Sequence, residues 1–181
     1  MVDALLKMDG EILLFIQDHI RQEWMDWFWK AVTHLGDGGV FWILLGIILL
    51  FSKKTRPAGV AALLALLVGA LITNVCLKNF VARIRPYEVV EGLRLMIERQ
   101  RDYSFPSGHT AASFASVTAL YLVGEKKMWK AALVLAVLIA LSRLYLYVHY
   151  PTDIIGGVVF GSLSGYLGYK IVEWIQKKKI K

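Results

Sequence analysis

The chain has 181 residues, 57% of them hydrophobic and 19% charged, with a formal net charge of +7. A globular domain is about 45–50% apolar and about 25% charged, so the apolar excess argues against a soluble single domain and excludes a disordered chain. The length fits one domain, and one cysteine excludes both a disulfide framework and a thiolate metal cluster.

The N-terminal stretch is amphipathic. Between Asp9 and Ile20, apolar Ile12, Leu13, Phe15, Ile16 and Ile20 stand against Glu11, Gln17, Asp18 and His19. Trp24, Trp27, Phe28 and Trp29 follow, and clustered aromatics favour the membrane–water boundary. Residues 1–34 therefore read as interfacial or partly inserted, and an additional span within them stays open. The first 30 residues lack the layout of a cleavable signal peptide.

A spanning helix needs about 20 mostly apolar residues. Thr55–Lys78, Gly108–Val123, Trp129–Val148 and Asp153–Ile175 meet that standard. Gly38–Phe51 is short at its apolar core and spans if Leu35–Gly39 dips into the interface. The expectation is an all-α, polytopic membrane helix bundle of about five to six spans with an amphipathic N-terminal segment. It divides into segment 1–34 and a membrane domain over 35–181. Cys76 reads as a small core residue, and Tyr145, Tyr147 and Tyr150 as aromatic belt and packing. Gly156, Gly157, Gly161 and Gly165 let helices approach closely.

Basic residues set the orientation. Lys53, Lys54 and Arg56, then Lys126, Lys127 and Lys130, then Lys170, Lys177, Lys178, Lys179 and Lys181 alternate consistently if all lie inside. The junctions at Leu35–Gly39, Arg83–Ser107 and His149–Asp153 then fall outside. Residues 1–37 carry Lys7, Arg21 and Lys30 against Asp3, Asp9, Glu11, Asp18, Glu23, Asp26 and Asp37, which gives no argument for the inside. Topology thus accounts for the positive loops, and nucleic acid is not an expected partner.

Three clusters gather on the outer side. In Lys78-Asn-Phe-Val-Ala-Arg-Ile-Arg85-Pro86, seven helical residues put Lys78 and Arg85 on one face, roughly 10 Å apart, with Pro86 ending the helix. Such a pair clamps a phosphate or snorkels to headgroups. Arg83, on another face, reads as snorkelling. Phe105-Pro106-Ser107-Gly108-His109-Thr110 opens a helix whose backbone N–H groups point at an anion; the alternative is an ordinary cap with an interfacial histidine. In the third cluster, Arg143 lies in an apolar run, where it needs a polar cavity or a partner. His149 and Asp153 stand four apart, as an oriented imidazole–carboxylate pair requires. Arg143 and His149 fall on different faces of one straight helix, so a bend near Pro151 or a neighbouring helix must reconcile them. The alternative there is a membrane-end histidine beside a capping Asp.

Taken together, Lys78…Arg85-Pro86, Pro106–His109 and Ser142-Arg143…His149…Asp153 resemble the three signatures of the type 2 phosphatidic acid phosphatase superfamily, with no departure in spacing. These are membrane lipid phosphatases that share a site with vanadium haloperoxidases. The resemblance spans most of the chain from Leu35 onward. The stretch Thr33-His34-Leu35-Gly36-Asp37-Gly38-Gly39 and the short outer loop are similar to the small bacterial members, which include undecaprenyl-diphosphate and phosphatidylglycerophosphate phosphatases.

The resemblance implies the roles. His149 attacks phosphorus and forms a phosphohistidine, oriented by Asp153. His109 protonates the leaving oxygen and then activates water. Lys78, Arg85, Ser107, Gly108 and Arg143 hold the phosphoryl oxygens. No metal or other cofactor is implied. The expected partners are the bilayer and a lipid phosphate, and the expected location is the cell membrane with the site facing the extracytoplasmic side. The first-choice substrate is a polyprenyl diphosphate such as undecaprenyl diphosphate; phosphatidylglycerophosphate or phosphatidic acid comes second. The loop Tyr87–Asp102 sets Arg94, Arg99 and Arg101 against Glu88, Glu91, Glu98 and Asp102 and gives no headgroup code. A lipid or anion transporter would need more polar groups at mid-depth than Asn74 and Arg143, and the intact histidines argue against an idle scaffold. His19 and His34 fall off the motifs; His34 either borders the site or, as the preferred reading, is interfacial.

Overall fold

The computed structural model describes residues 2–89, 95–125 and 128–180, and every described element is helical. Helix α1 (Val2–Phe15) runs into a π-helical turn, Ile16–Ile20, and is followed by α2 (Glu23–His34). A short 3₁₀ turn, Asp37–Gly39, leads to α3 (Val40–Leu50). Helix α4 (Arg56–Gly69) continues through π-helical Ala70–Leu77 into α5 (Lys78–Val81), and α6 (Pro86–Val89) is a single turn. Then come α7 (Gly108–Val123), α8 (Met128–Tyr145) and α9 (Pro151–Ile180). Glu91, Arg94, Lys126, Lys127 and Lys181 lie outside the described residues, as do the side chains of Asp3 and Lys179.

Local chemistry fixes the breaks. Gly38 and Gly39 take φ of 59° and 69°, a left-handed geometry that glycine adopts freely, and the chain bends there between α2 and α3. Gly124, at φ 95°, ends α7, with its N–H returning to Leu120 and Tyr121. Pro151 opens α9, where its missing N–H costs nothing.

Among the described residues, four helical stretches are long and apolar enough to cross a membrane: Glu23–Leu50, Arg56–Val89, Met128–Tyr145 and Pro151–Lys178. They take in three of the four full-length expected spans and the short one at Gly38–Phe51. The fourth expected span, α7, has only 16 residues, about 24 Å of helix. It packs against α3, α4, α8 and α9, so its neighbours rather than lipid cover much of it.

Between helices already in lipid the hydrophobic effect contributes little, and packing depends on close backbone approach. Small residues supply that approach. A Cβ on Gly161 of α9 would sit 2.4 Å from the Ala111 carbonyl oxygen of α7, and one on Gly165 would sit 2.6 Å from that of Ala115. Gly168 meets the Ala61 carbonyl of α4 in the same way. Ala61, Ala62, Ala65, Ala115 and Ala119 are buried with Val172 in this core. These contacts bring the first turns of α7 and α9 together.

One sequence expectation changes and another narrows. Cys76, within the π-helical stretch, is exposed rather than packed. Of the belt-and-packing reading, packing holds for Tyr145 and Tyr147, which are buried in one hydrophobic cluster rather than set in a surface belt. Tyr145 instead docks the N-terminal segment: its hydroxyl donates to the Gln22 carbonyl at 2.9 Å and to Asp26 at 2.8 Å.

Candidate active site

At one end of the bundle, α5, α7, α8 and the turn before α9 converge on a cavity of about 580 Å³. Lys78, Arg85, Gly108, His109, Arg143 and His149 all line it, so the three distant stretches of chain do meet. The helix ends give the reason. Ala82 adopts φ 49° and stops α5, so Lys78 and Arg85 do not share a helix face as the spacing suggests. Arg85 comes in from the extended segment beyond, and both cations reach the carboxylate of Asp102. The chain also reverses after Tyr145, where Tyr147 takes φ 60°, and this supplies the bend that brings His149 to the same cavity as Arg143.

His149 is 1% exposed. Its Nδ1 lies 3.3 Å from Asp153 Oδ2, and Arg85 Nη1 stands 3.3 Å from its Nε2. A proton on Nδ1 facing the carboxylate leaves the Nε2 lone pair toward the cavity. Burial, then the Arg85 and Arg143 cations, push this imidazole well below its usual range, so it is neutral at neutral pH. Asp153 is fully buried; its Oδ2 also accepts from the Ser104 hydroxyl and, at 2.9 Å, from the Tyr150 N–H.

His109 sits in the first turn of α7 with Nε2 2.8 Å from Asp37 Oδ1. Gly36 leaves the space for it: a Cβ there would come within 2.6 Å of the His109 ring. Asp37 also pairs with His34 at 2.7 Å, and His34 itself stays on the surface. Arg143 is 1% exposed and donates from Nη1 to Thr33 Oγ1 at 2.6 Å, while its Nε and Nη2 are buried without a hydrogen-bond partner among the described residues. A buried guanidinium edge left unsatisfied is expensive, and an anion in the cavity would satisfy it.

Asp102 binds both Lys78 and Arg85. Burial raises its carboxyl, but the hydrogen bond and charge of Lys78, then Arg85, outweigh that and hold it at about 2. Ser107 is not on the cavity wall. Its hydroxyl oxygen caps α7, accepting from the Thr110 N–H at 3.5 Å and the Thr110 hydroxyl at 3.0 Å. Gly108 does line the cavity.

Arg83 is not a snorkelling residue. It is 14% exposed and is pinned between Asp9 Oδ2 at 2.6 Å and Asp153 Oδ1 at 2.8 Å, because the bend at Ala82 turns it inward. Asp37, Asp102, Ser104 and Thr33 were missed as site residues. Only their nearness to the glycine turn or to the Pro-Ser-Gly-His run could have flagged them. The far wall of the cavity is apolar, formed by Ile43 of α3 and Leu63, Leu66 and Leu67 of α4. Ile43 and Leu67 are also exposed on the outside of the bundle.

The PAP2 superfamily profile matches residues 58–177. The chain is 33% identical over 139 residues to an undecaprenyl-diphosphatase of Sulfolobus acidocaldarius, covering 77% of this chain and 67% of that one. It is 34% identical over 161 residues to phosphatidylglycerophosphatase B of Bacillus subtilis, covering 82% and 75%. The crystal structure of a transmembrane PAP2-type phosphatidylglycerolphosphate phosphatase from Bacillus subtilis superposes with a TM-score of 0.75 at 29% identity, covering 97% of this chain and 87% of that one.

Proposed function

From the premise that the chain belongs to the PAP2 superfamily and is a membrane lipid phosphatase, we propose that it removes the terminal phosphate of a polyprenyl diphosphate through a phosphohistidine intermediate. The observation that carries this reading is the Arg143 guanidinium, whose Nε and Nη2, unpartnered among the described residues, share a cavity with Lys78, Arg85 and His149. Three cations on one enclosed space suit a phosphoryl group whose charge spreads over its oxygens in the transition state.

His149 Nε2 attacks phosphorus; the N–P bond forms as the bond to the bridging oxygen breaks. His109 gives its proton to that oxygen, and the lipid monophosphate leaves. His109 then takes a proton from water, the water oxygen attacks phosphorus, the N–P bond breaks, and inorganic phosphate departs. Asp153 keeps the Nδ1 proton on His149 throughout, and Asp37 gives a protonated His109 its counter-charge. Lys78, Arg85, Arg143 and the Gly108 backbone hold the phosphoryl oxygens, whereas the Ser107 hydroxyl supports the turn. The positive loops support a site on the extracytoplasmic side of the cell membrane.

The apolar wall of Ile43, Leu63, Leu66 and Leu67 supports a lipid tail running into the bilayer between α3 and α4. The Sulfolobus relative favours a polyprenyl diphosphate; the Bacillus relative favours phosphatidylglycerophosphate as the second reading. A phosphate-release assay in mixed micelles over a panel of lipid phosphates, with and without EDTA, tests both. Polyprenyl diphosphate should give the highest kcat/KM, EDTA should change nothing, and His149→Ala should abolish turnover. Near-normal release by His149→Ala would overturn the nucleophile, and strict magnesium dependence would overturn the cation-only mechanism.

A further inference from the structure

Helix α1 has two faces. Leu5, Leu6, Met8, Leu14 and Phe15 are exposed, whereas Leu13 is fully buried among Tyr145, Leu146, Tyr147 and Val148, and Asp9 is 1% exposed. A buried carboxylate on an interfacial helix needs strong partners. Asp9 accepts from the Thr152 N–H at 3.0 Å, from the Thr152 hydroxyl, and from Arg83 Nη2 at 2.6 Å. Arg83 lies over the Tyr150 ring at 3.9 Å and also donates from Nη1 to Thr152 Oγ1 at 2.6 Å and to Asp153 Oδ1 at 2.8 Å.

We propose that Asp9 and Arg83 are positioning residues for the His149–Asp153 pair, so that docking of the N-terminal helix sets the geometry of the nucleophile. The inference rests on the reading of His149 as the nucleophile. Its logic is the division of two carboxylates between the two ends of one guanidinium. A guanidinium facing a single carboxylate favours a two-pronged pairing. Asp9 claims Nη2, so Arg83 grips Asp153 through Oδ1 and leaves Oδ2 for His149. Without Asp9, both prongs can close on Asp153 and draw Oδ2 away from the imidazole. The same carboxylate caps the first turn of α9, so one side chain of α1 steadies both Arg83 and the helix that carries Asp153.

The test uses the full-length protein in lipid micelles, reading kcat, KM and the thermal midpoint. Asp9→Asn and Arg83→Gln should each lower kcat about 10–100-fold, the range seen when a partner that orients an active-site ligand is removed, with KM within about twofold of the parent. Arg83→Lys should recover part of the loss. The Asp9→Asn/Arg83→Gln double variant should be no worse than Arg83→Gln alone, because both act through one contact. Glu11→Gln, on the exposed side of the same helix, should match the parent. If Arg83→Gln does not fold, Asp9→Asn carries the test. The proposal is overturned by unchanged kcat in Asp9→Asn, by a loss confined to KM, or by losses that multiply in the double variant. A parent protein that releases no phosphate, or a His149→Ala variant that still does, would instead sink the functional reading beneath it.

Discussion

Gly161→Ala is the most direct test of how the site is held. The added Cβ would lie 2.4 Å from the Ala111 carbonyl oxygen and 2.9 Å from the Ala111 Cα, both backbone atoms that no side-chain rotation can move aside. An ordinary contact begins at 3.4 Å, so α7 and α9 must part by about 1 Å. Overpacking of this kind destabilises by about 1–3 kcal/mol. The two helices carry His109 and Asp153 in their first turns. A misplacement of about 1 Å at reacting groups lowers turnover by up to about 100-fold. Purified Gly161→Ala should therefore show both a lower thermal midpoint and a phosphate-release kcat at least tenfold down. Gly10→Ala, whose Cβ would meet nothing within 4 Å among the described residues, should show neither. A Gly161→Ala protein with the parent's midpoint and rate would refute the idea that small-residue contact between α7 and α9 sets the site.

Two further outcomes follow from charge. If Lys78 and Arg85 hold the phosphoryl oxygens as proposed, Asp102, paired with both, competes for them, so Asp102→Asn should bind inorganic phosphate about tenfold more tightly, read as a lower inhibition constant; unchanged inhibition would show that this carboxylate does not compete. His149 is held neutral in the fold but protonates near pH 6.5 once unfolded, so the unfolded chain binds the extra proton and stability falls as pH drops below about 6.5. The thermal midpoint should decline from pH 7.5 to 5.5, and His149→Gln should flatten part of that slope. Asp102 works at lower pH: with its carboxyl at about 2 in the fold, its contribution is full above the usual carboxylate range and fades only as pH falls toward 2.

The residues legible in the sequence share one property: each is chemically expensive where it stands. Arg143 in an apolar run, His109 at the start of a buried helix and Asp153 just inside Pro151 all announce themselves by cost. The bundle was legible for the same reason, since long apolar runs have few other uses. Asp37, Asp102 and Asp9 are not, because an acidic residue in an interfacial segment is ordinary until the fold buries it, as it does Asp9, or sets it against site cations and histidines, as it does the half-exposed Asp37 and Asp102. The snorkelling reading of Arg83 fails because it counts along a helix that ends at Ala82. Only the fold reveals that α5 stops there, and the left-handed residue that stops it is an alanine, which carries no turn signal.

The apolar wall formed by Ile43, Leu63, Leu66 and Leu67 has a kinetic corollary. A tail that slides from bilayer to protein exchanges one hydrocarbon neighbour for another and gains little net free energy. What governs occupancy is then how crowded the substrate is within the plane of the membrane, not how much is present per litre. Diluting it with inert lipid at fixed bulk amount should slow the reaction, as expected of an enzyme that meets its substrate in two dimensions.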